Sequence, residues 1–565
     1  MRRAAGKELI EPDKMEPSQQ EIDAIVALYG QGRLDEVEAL ARSLTARFPL
    51  HGFGWKVLGG VAVHQGRLAD AAEAVQKSAE LAPGDAETHW NLAYIYRELG
   101  RKSDAEACFR RVLAIAGDDA TVYRDLGVTV LDQGRIGEAE ACFRKALGVK
   151  PDYADVYGNL LFALNYDADK SAEEIFDAYR EYDARFGLPL RAQWRPHGND
   201  RGANRRLKVG YVSPDFRSHA VRYFLEPLLA HHDKTVVEVT AYAELASEDA
   251  VTGRYRRYMD HWVPTAGMSD AALAERIRAD GIDILVDLAG HTAKNRLGVF
   301  ALKPAPVSLT WLGYGYTTGL TAVDYLLTDF ASAPQGSDGF FSERPWRLDN
   351  PGYIYRPAED SGLPNALPAA SRGYVTFGTL TRALRINHHT IRVWSEILRR
   401  VPGARLVVNS ENFREPSMQA ALAGKFAAHG IGRDRLDIGY QTPPWDVLRG
   451  MDITLDCFPH NSGTTLFESL HMGVPYVTLA GRPSVGRVGS SILEGVGRPE
   501  WIARTEEEYV EKAVALASDL SALAALRAGL RAEMAASPLM DEPAFARKVE
   551  AAYREMFAIW SASGR

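Results

Sequence analysis

The run HNSGTTLFE, residues 460–468, follows an apolar stretch, MDITLDCF at 451–458, whose composition is that of a buried strand. Gly463, Thr464 and Thr465 fall where a helix begins, and Glu468 lies one turn further in. A helix start exposes unpaired N–H groups and the positive end of the backbone dipole, and threonine hydroxyls add donors. That is equipment for holding a phosphate. Thr-Thr-x-x-Glu also has capping-box spacing. A cap needs one hydroxyl, whereas this run has Ser462, two threonines and a glycine at 463 where a ligand can approach the backbone. The run reads as an anion site. His219, in DFRSHAV after the apolar run LKVGYVS, is a second residue with chemistry to offer. Imidazole titrates near neutral pH and suits general-base work, although a lone loop histidine is more often simply hydrogen-bonded.

Both places follow strand-like runs, and such runs recur. LKVGYVS, DILVDLAG, VSLTWLGY and YLLTD form one set from Leu207 onward; YVTFGTL, RLVVNS, LDIGY, DITLDCF and VPYVTLAG form another from Tyr374. Amphipathic segments such as SDAALAERIRADG separate them. Continuous apolar strands alternating with helices predict doubly wound α/β sheets. Two sets joined near residue 366 predict two Rossmann-like lobes facing a cleft, with ligands held beyond the carboxyl ends of the strands.

The first third is different. Gly-Arg pairs occur at 32–33, 66–67, 100–101 and 134–135, 34 residues apart. Leu58, Leu92, Leu126 and Leu160 keep the same beat, as do Ala71, Ala105 and Ala139, and Cys108 and Cys142. The two cysteines are therefore core positions of a repeat, not a metal or redox pair. A 34-residue period of this kind resembles the tetratricopeptide repeat, whose helix pairs stack into a superhelix with a groove for extended peptide.

The 565 residues carry 66 basic and 74 acidic side chains, a net charge of −8 without a long single-sign block. This argues against a nucleic-acid protein. Three cysteines fit a reducing compartment. The amino terminus has no apolar signal core and no stretch of about 18 apolar residues occurs, so a cytoplasmic location without membrane contact is expected.

Several long motifs in one order carry a more specific resemblance: GYVSPDFRSHAVRYF (210–224), DLAGHTAKNRLGVFALKPAPVSLTWLGY (287–314), TTGLTAVDYLLTD (317–329), FGTLTRALRI (377–386) and the opening run. Together they resemble the protein O-GlcNAc transferase family, GT-B glycosyltransferases preceded by tetratricopeptide repeats, which includes the SPINDLY-type protein O-fucosyltransferases. The resemblance implies an inverting, metal-independent transfer of GlcNAc from UDP-GlcNAc to Ser or Thr of proteins, with GDP-fucose as the alternative donor. A non-catalytic adaptor that senses a nucleotide-sugar is a further alternative. It implies no cofactor beyond the donor, and protein acceptors entering through a groove that four repeats make short. The implied boundaries are a tail at 1–19, repeats at 20–167, a helical connector at 168–206, lobes at 207–365 and 366–540, and a last helix at 541–565 that returns to the first lobe.

Roles follow motif by motif. Thr464 and Thr465 would bind pyrophosphate, with Gly463 beside them, and Glu468 would accept from the ribose hydroxyls. Tyr440 and Gln441 would read the base through backbone, with Arg449 lying over it. Arg385 matches a phosphate-contacting lysine, and Arg382 could share that role. Leu312, Gly313 and Tyr314 would touch the sugar. His219 matches a histidine at the reaction centre, and Asp280 a second proton acceptor working through water; His291 is left without a role. Many glycosyltransferases hold a divalent metal with Asp-x-Asp. The triplet here, Asp167-Ala168-Asp169, ends the repeats away from the cleft strands and reads as a solvated loop, so no metal is expected.

Overall fold

In the structure, a computed structural model, residues 16–202 and 204–563 are described. Most of the predicted tail at 1–19 therefore lies outside the described residues, and the first helix is Gln19–Gly30. The chain divides into two compact units: one runs to Val130 and includes Arg144–Lys150, and the other holds Leu131–Phe143 and everything from Pro151.

The first unit is helical, with Gln19–Gly30, Leu34–Arg47, Gly52–His64, Leu68–Leu81, Ala86–Glu98, Lys102–Ala116 and most of Ala120–Asp132. The Gly-Arg beat marks a recurring helix stop and start. Gly66 sits at φ +73°, a left-handed conformation that costs glycine little. Its N–H donates to the Val63 carbonyl and the Arg67 N–H to the Ala62 carbonyl at 2.8 Å, the paired bonds of a Schellman end. The same arginine then pairs with an acid three residues on, Arg67 with Asp70 and Arg101 with Asp104. Ala71 and Ala105 are fully buried where helices meet, and Cys108 is half-buried.

The second unit contains two parallel sheets. The first has strands β1 (Leu207–Ser213), β2 (Val237–Ala243), β3 (His261–Pro264), β4 (Ile284–Asp287), β5 (Val307–Thr310), β6 (Tyr325–Asp329) and β7 (Arg344–Leu348), in the order 3-2-1-4-5-6-7. The second has β8 (Thr376–Thr379), β9 (Arg405–Asn409), β10 (Leu436–Gly439), β11 (Ile453–Leu455), β12 (Tyr476–Leu479) and β13 (Ile502–Ala503), in the order 10-9-8-11-12-13. Strand order reverses between β1 and β4 in one lobe and between β8 and β11 in the other. Open α/β sheets gather ligands at such switch points. His219 follows β1, Arg385 follows β8 and Gly463 follows β11, so three of the expected residues stand at the two switch points.

The chain crosses between lobes twice. Outward it runs from β7 to β8; it returns through the helix Glu542–Ala562, whose Phe545, Val549, Tyr553 and Phe557 pack with Val209, Tyr211, Leu309 and Trp311 in the first lobe's core. Arg356 Nε on the outward crossing donates to Glu542 Oε1 on the return at 2.9 Å, so the crossings lie side by side. Arginines of the second lobe hold the outward segment: Arg527 and Arg531 donate to the Asn365 and Gly362 carbonyls at 2.9 and 2.6 Å.

Candidate active site

The helix Thr464–His471 has Gly463 as its N-cap residue, and no side chain caps it. Leu466 N–H turns back onto the Gly463 carbonyl at 2.9 Å, while the N–H groups of Thr464 and Thr465 find no acceptor among the described residues. Ordinary capping is therefore excluded as the purpose of this run: Glu468 does not reach back to the helix start. Its carboxyl is buried instead, without an ion pair among the described residues, and burial pushes its pKa up to about 7. A buried acid with no partner in front of free N–H groups fits a site whose occupant supplies hydroxyls.

The loop that feeds this helix is held by Asp456, which sequence reasoning passed over. It is fully buried at the end of β11, accepting from Cys457 N–H, from Ser462 N–H at 2.8 Å and from Thr478 Oγ1 at 2.7 Å. Burial raises its pKa to about 7. The first lobe repeats the device: Asp287 ends β4 and accepts from Ala289 and Gly290 N–H and from Thr310 Oγ1 at 2.7 Å. In each lobe a central strand thus ends in an aspartate that bonds a threonine of the next strand. Asp-x-x-hydrophobic spacing offers no signal for this; only the register does.

Arg385 lies in a short 3-10 turn, Ala383–Arg385, after β8. Its guanidinium stands 5.7 Å from the Tyr166 ring centroid, and its Nε is buried without a hydrogen bond. No ion pair neutralises it among the described residues, and its charge acts on Asp456, Cys457 and His460. An unpaired, half-buried arginine beside a bare helix start is suited to a diphosphate. Arg382, one turn earlier, is exposed and acts electrostatically on His219 of the opposite lobe, so the two lobes' polar residues face each other.

His219 is half-buried, and burial lowers its pKa while Asp215 opposes that shift. Asp215 Oδ2 lies 3.6 Å from Nδ1, and Val221 N–H points at the same nitrogen from 3.4 Å. Only when Nδ1 gives up this long contact and turns a proton to Asp215 is Nε2 left as the acceptor of a substrate proton. Asp215 is itself buried, and its own N–H bonds Ser213 Oγ at 2.9 Å. The spacing D-x-x-x-H was visible in the sequence and was the available clue.

Four expectations need correction. Asp280 ends the helix Asp270–Asp280 and precedes β4, at the amino edge of the sheet, where Lys208 Nζ donates to its carbonyl at 3.0 Å. Its carboxylate is taken by Arg276 Nε and Tyr242 OH, so it is not beside His219. Arg449 ends the helix Trp445–Gly450 and likewise precedes a strand. Its guanidinium bonds Asp446, the Ser361 carbonyl at 2.7 Å and the Leu363 carbonyl at 3.2 Å, which makes it a fastening of the outward crossing, not a lid over a base. Gln441 gives both its N–H and its carbonyl to Asn409, at 2.6 and 3.0 Å, so its backbone is spent internally. Tyr314 has its hydroxyl taken up internally, by Asn165 Nδ2, which donates to it at 2.8 Å, and by Tyr179.

The other expected residues stand at strand ends. Tyr440 follows β10 with its ring under Arg414, 4.6 Å away. Leu312 and Gly313 follow β5 at φ +58° and +60°, the sharp backbone of a strand-end loop. His291 is buried with Nε2 on the Thr318 carbonyl at 2.7 Å and its ring edge-on to Tyr179, Tyr182 and Tyr314: a core histidine.

A model of glycosyl transferase family 41 matches residues 191–351 and 365–549, and tetratricopeptide-repeat models match 22–86 and 88–152. The chain belongs to glycosyltransferase family 41. Among curated proteins it is 39% identical over 407 residues to the SPINDLY protein of Solanum lycopersicum, titled a probable UDP-N-acetylglucosamine–peptide N-acetylglucosaminyltransferase, covering 71% of this chain and 44% of that one. The Arabidopsis thaliana SEC protein, with the same enzymatic title, is 30% identical, covering 66% of this chain and 39% of that one. The chain thus spans less than half the length of these relatives. A mutant of the Thermobaculum terrenum O-GlcNAc transferase superposes with a TM-score of 0.83 at 33% identity, covering 90% of this chain and 97% of that one.

Proposed function

We propose that this protein transfers a sugar from a nucleotide-sugar to hydroxyl groups of proteins, with UDP-GlcNAc as donor. The observation that carries the reading is the unpaired Arg385 beside the uncapped start of Thr464–His471, a ready clamp for a departing diphosphate. The acceptor oxygen forms its bond to the anomeric carbon as the bond from that carbon to the diphosphate oxygen breaks. The leaving diphosphate keeps the electron pair, and the acceptor proton passes to His219 Nε2. Attack opposite the leaving group inverts the anomeric centre. Arg385 and the helix N–H groups meet the developing charge, so this scheme asks for no catalytic metal. Buried Glu468 accepts from ribose hydroxyls. The titles of the relatives and the superposition with an O-GlcNAc transferase support the donor and acceptor classes. The repeats supply the groove for acceptor peptides, and we place the reaction in the cytoplasm.

A second donor, GDP-fucose, is favoured by one observation: identity to SPINDLY proteins, 36–40%, exceeds the 30% to SEC, and GHTAKNRLG and ESLHMGVP resemble the fucosyltransferase branch. Calorimetric titration of chelator-treated protein with UDP and with GDP separates the two. Tighter UDP binding, lost in Arg385→Ala, supports the GlcNAc reading; tighter GDP binding transfers it to fucose. Binding of neither nucleotide overturns both.

A further inference from the structure

Outside the cleft, one group of side chains is left unexplained by the reaction. Asp169, the last residue of the Asp-x-Asp triplet, meets the adjacent pair His388 and His389. Asp169 Oδ1 lies 3.2 Å from His388 Nε2 and 3.6 Å from His389 Nε2, and one ligand atom from each residue falls within 4.8 Å of the others. Ligands at about 2.1 Å from a tetrahedral ion are separated by about 3.4 Å, so both measured edges suit a zinc-sized site. The two ring centroids are 4.3 Å apart.

The second observation is around His389. Its Nδ1 is shielded from solvent and makes no hydrogen bond, yet Glu506 Oε1 stands 3.3 Å away. Metal-bound histidines characteristically turn their other N–H onto a carboxylate, which fixes the tautomer. Glu506 is positioned for this, and Arg392 holds its other oxygen. The histidines also open the helix His388–Arg400.

We infer that Asp169, His388 and His389 form a structural site for a zinc-like divalent ion, with Glu506 orienting His389 and water completing the coordination. None of these residues is assigned to the donor. The ion ties the loop after the last repeat helix to the second lobe. Arg482 already fastens that loop by donating to the carbonyls of Asn165, Asp167 and Lys170. On the other side, Asn387 caps the same helix and donates to the Phe458 carbonyl at 2.5 Å, joining it to the loop that precedes Gly463.

The test uses tag-free, chelator-treated full-length protein titrated with zinc by calorimetry and with cobalt(II) by visible absorption. One zinc per chain, a raised Tm and the intense bands of four-coordinate cobalt are expected. The double variant His388→Ala/His389→Ala should lose all three, and Glu506→Gln should weaken zinc about tenfold without changing its stoichiometry. Far-UV circular dichroism of each variant should match the wild type, since these side chains are exposed or half-buried. Unchanged zinc stoichiometry and affinity in the double variant, or no one-to-one binding by the wild type, overturns the site.

Discussion

The imidazole of His460 lies flat on the phenol of Tyr166, with ring centroids 4.3 Å apart and planes at 1°. Tyr166 follows the last repeat helix, Ala154–Leu164, and His460 opens the loop that leads into Thr464–His471. The guanidinium of Arg385 addresses the same tyrosine. Burial and the neighbouring arginines keep His460 neutral, well below the usual histidine range, so it stacks without adding charge. Tyr166→Ala should therefore weaken UDP binding three- to tenfold, equivalent to roughly 1 kcal/mol, while Tyr166→Phe should leave it intact. Equal affinity in all three proteins would sever the link between this ring and the clamp.

Arg385→Ala removes the unpaired cation of the clamp. Turnover should fall 10²- to 10³-fold, the usual loss for one preorganised donor to developing charge, about 3–4 kcal/mol. Arg385→Lys keeps the charge without the fork and should recover part of it. Single-turnover kinetics at saturating donor check this.

His219→Ala should lower turnover by about 10²–10⁴ with nucleotide affinity preserved. Asp215 opposes the burial-driven fall in the histidine's pKa. Asp215→Asn should then move the acid limb of the rate profile to lower pH, because the base stays deprotonated further into acid. An acid limb that stays in place removes Asp215 from the arrangement.

Glu468→Gln should act oppositely on stability and on binding. The folded pKa, about 7, is above the ordinary 4.5, so the stability linked to this proton is full below pH 4.5 and lost as pH rises through 7. At pH 8 the amide should be more stable than the acid by on the order of 1–3 kcal/mol, and near pH 4 the difference should vanish. Nucleoside diphosphate binding should weaken at neutral pH. Denaturant midpoints at the two pH values provide the measurement.

Asp280→Asn should leave turnover within about twofold, because the carboxylate is bound to Arg276 and Tyr242 at the amino edge of its sheet. A loss of tenfold or more at saturating substrates would falsify the placement of Asp280 outside the reaction.

The repeat and the lobe architecture were legible because each rests on a periodicity: 34 residues in the array, and apolar strands alternating with helices in the lobes. The strands β2, β3, β7 and β13 were not read. VEVTAYA in β2 carries a glutamate, β7 carries two arginines and a proline at a sheet edge, and β13 has two residues. At the site, Gly463 to Thr465 follow a strand and were readable from that; Arg385 and His219 also follow strands, but their roles came from the resemblance. Asp280 and Arg449 were misplaced for a shared reason: each ends a helix that enters a parallel strand, and such helix ends lie on the edge away from the ligand. Asp456 and Tyr166 depend on contacts across the fold, which no local pattern encodes, whereas Asp215 was within reach of the D-x-x-x-H spacing.

The two crossings between the lobes, tied by Arg356 and Glu542, leave the second lobe hung like a door with both hinges on one jamb. Any swing of one lobe against the other has a single axis along that edge. The segment between residues 361 and 365, fastened by Arg449, Arg527 and Arg531, turns with the second lobe as part of the door leaf.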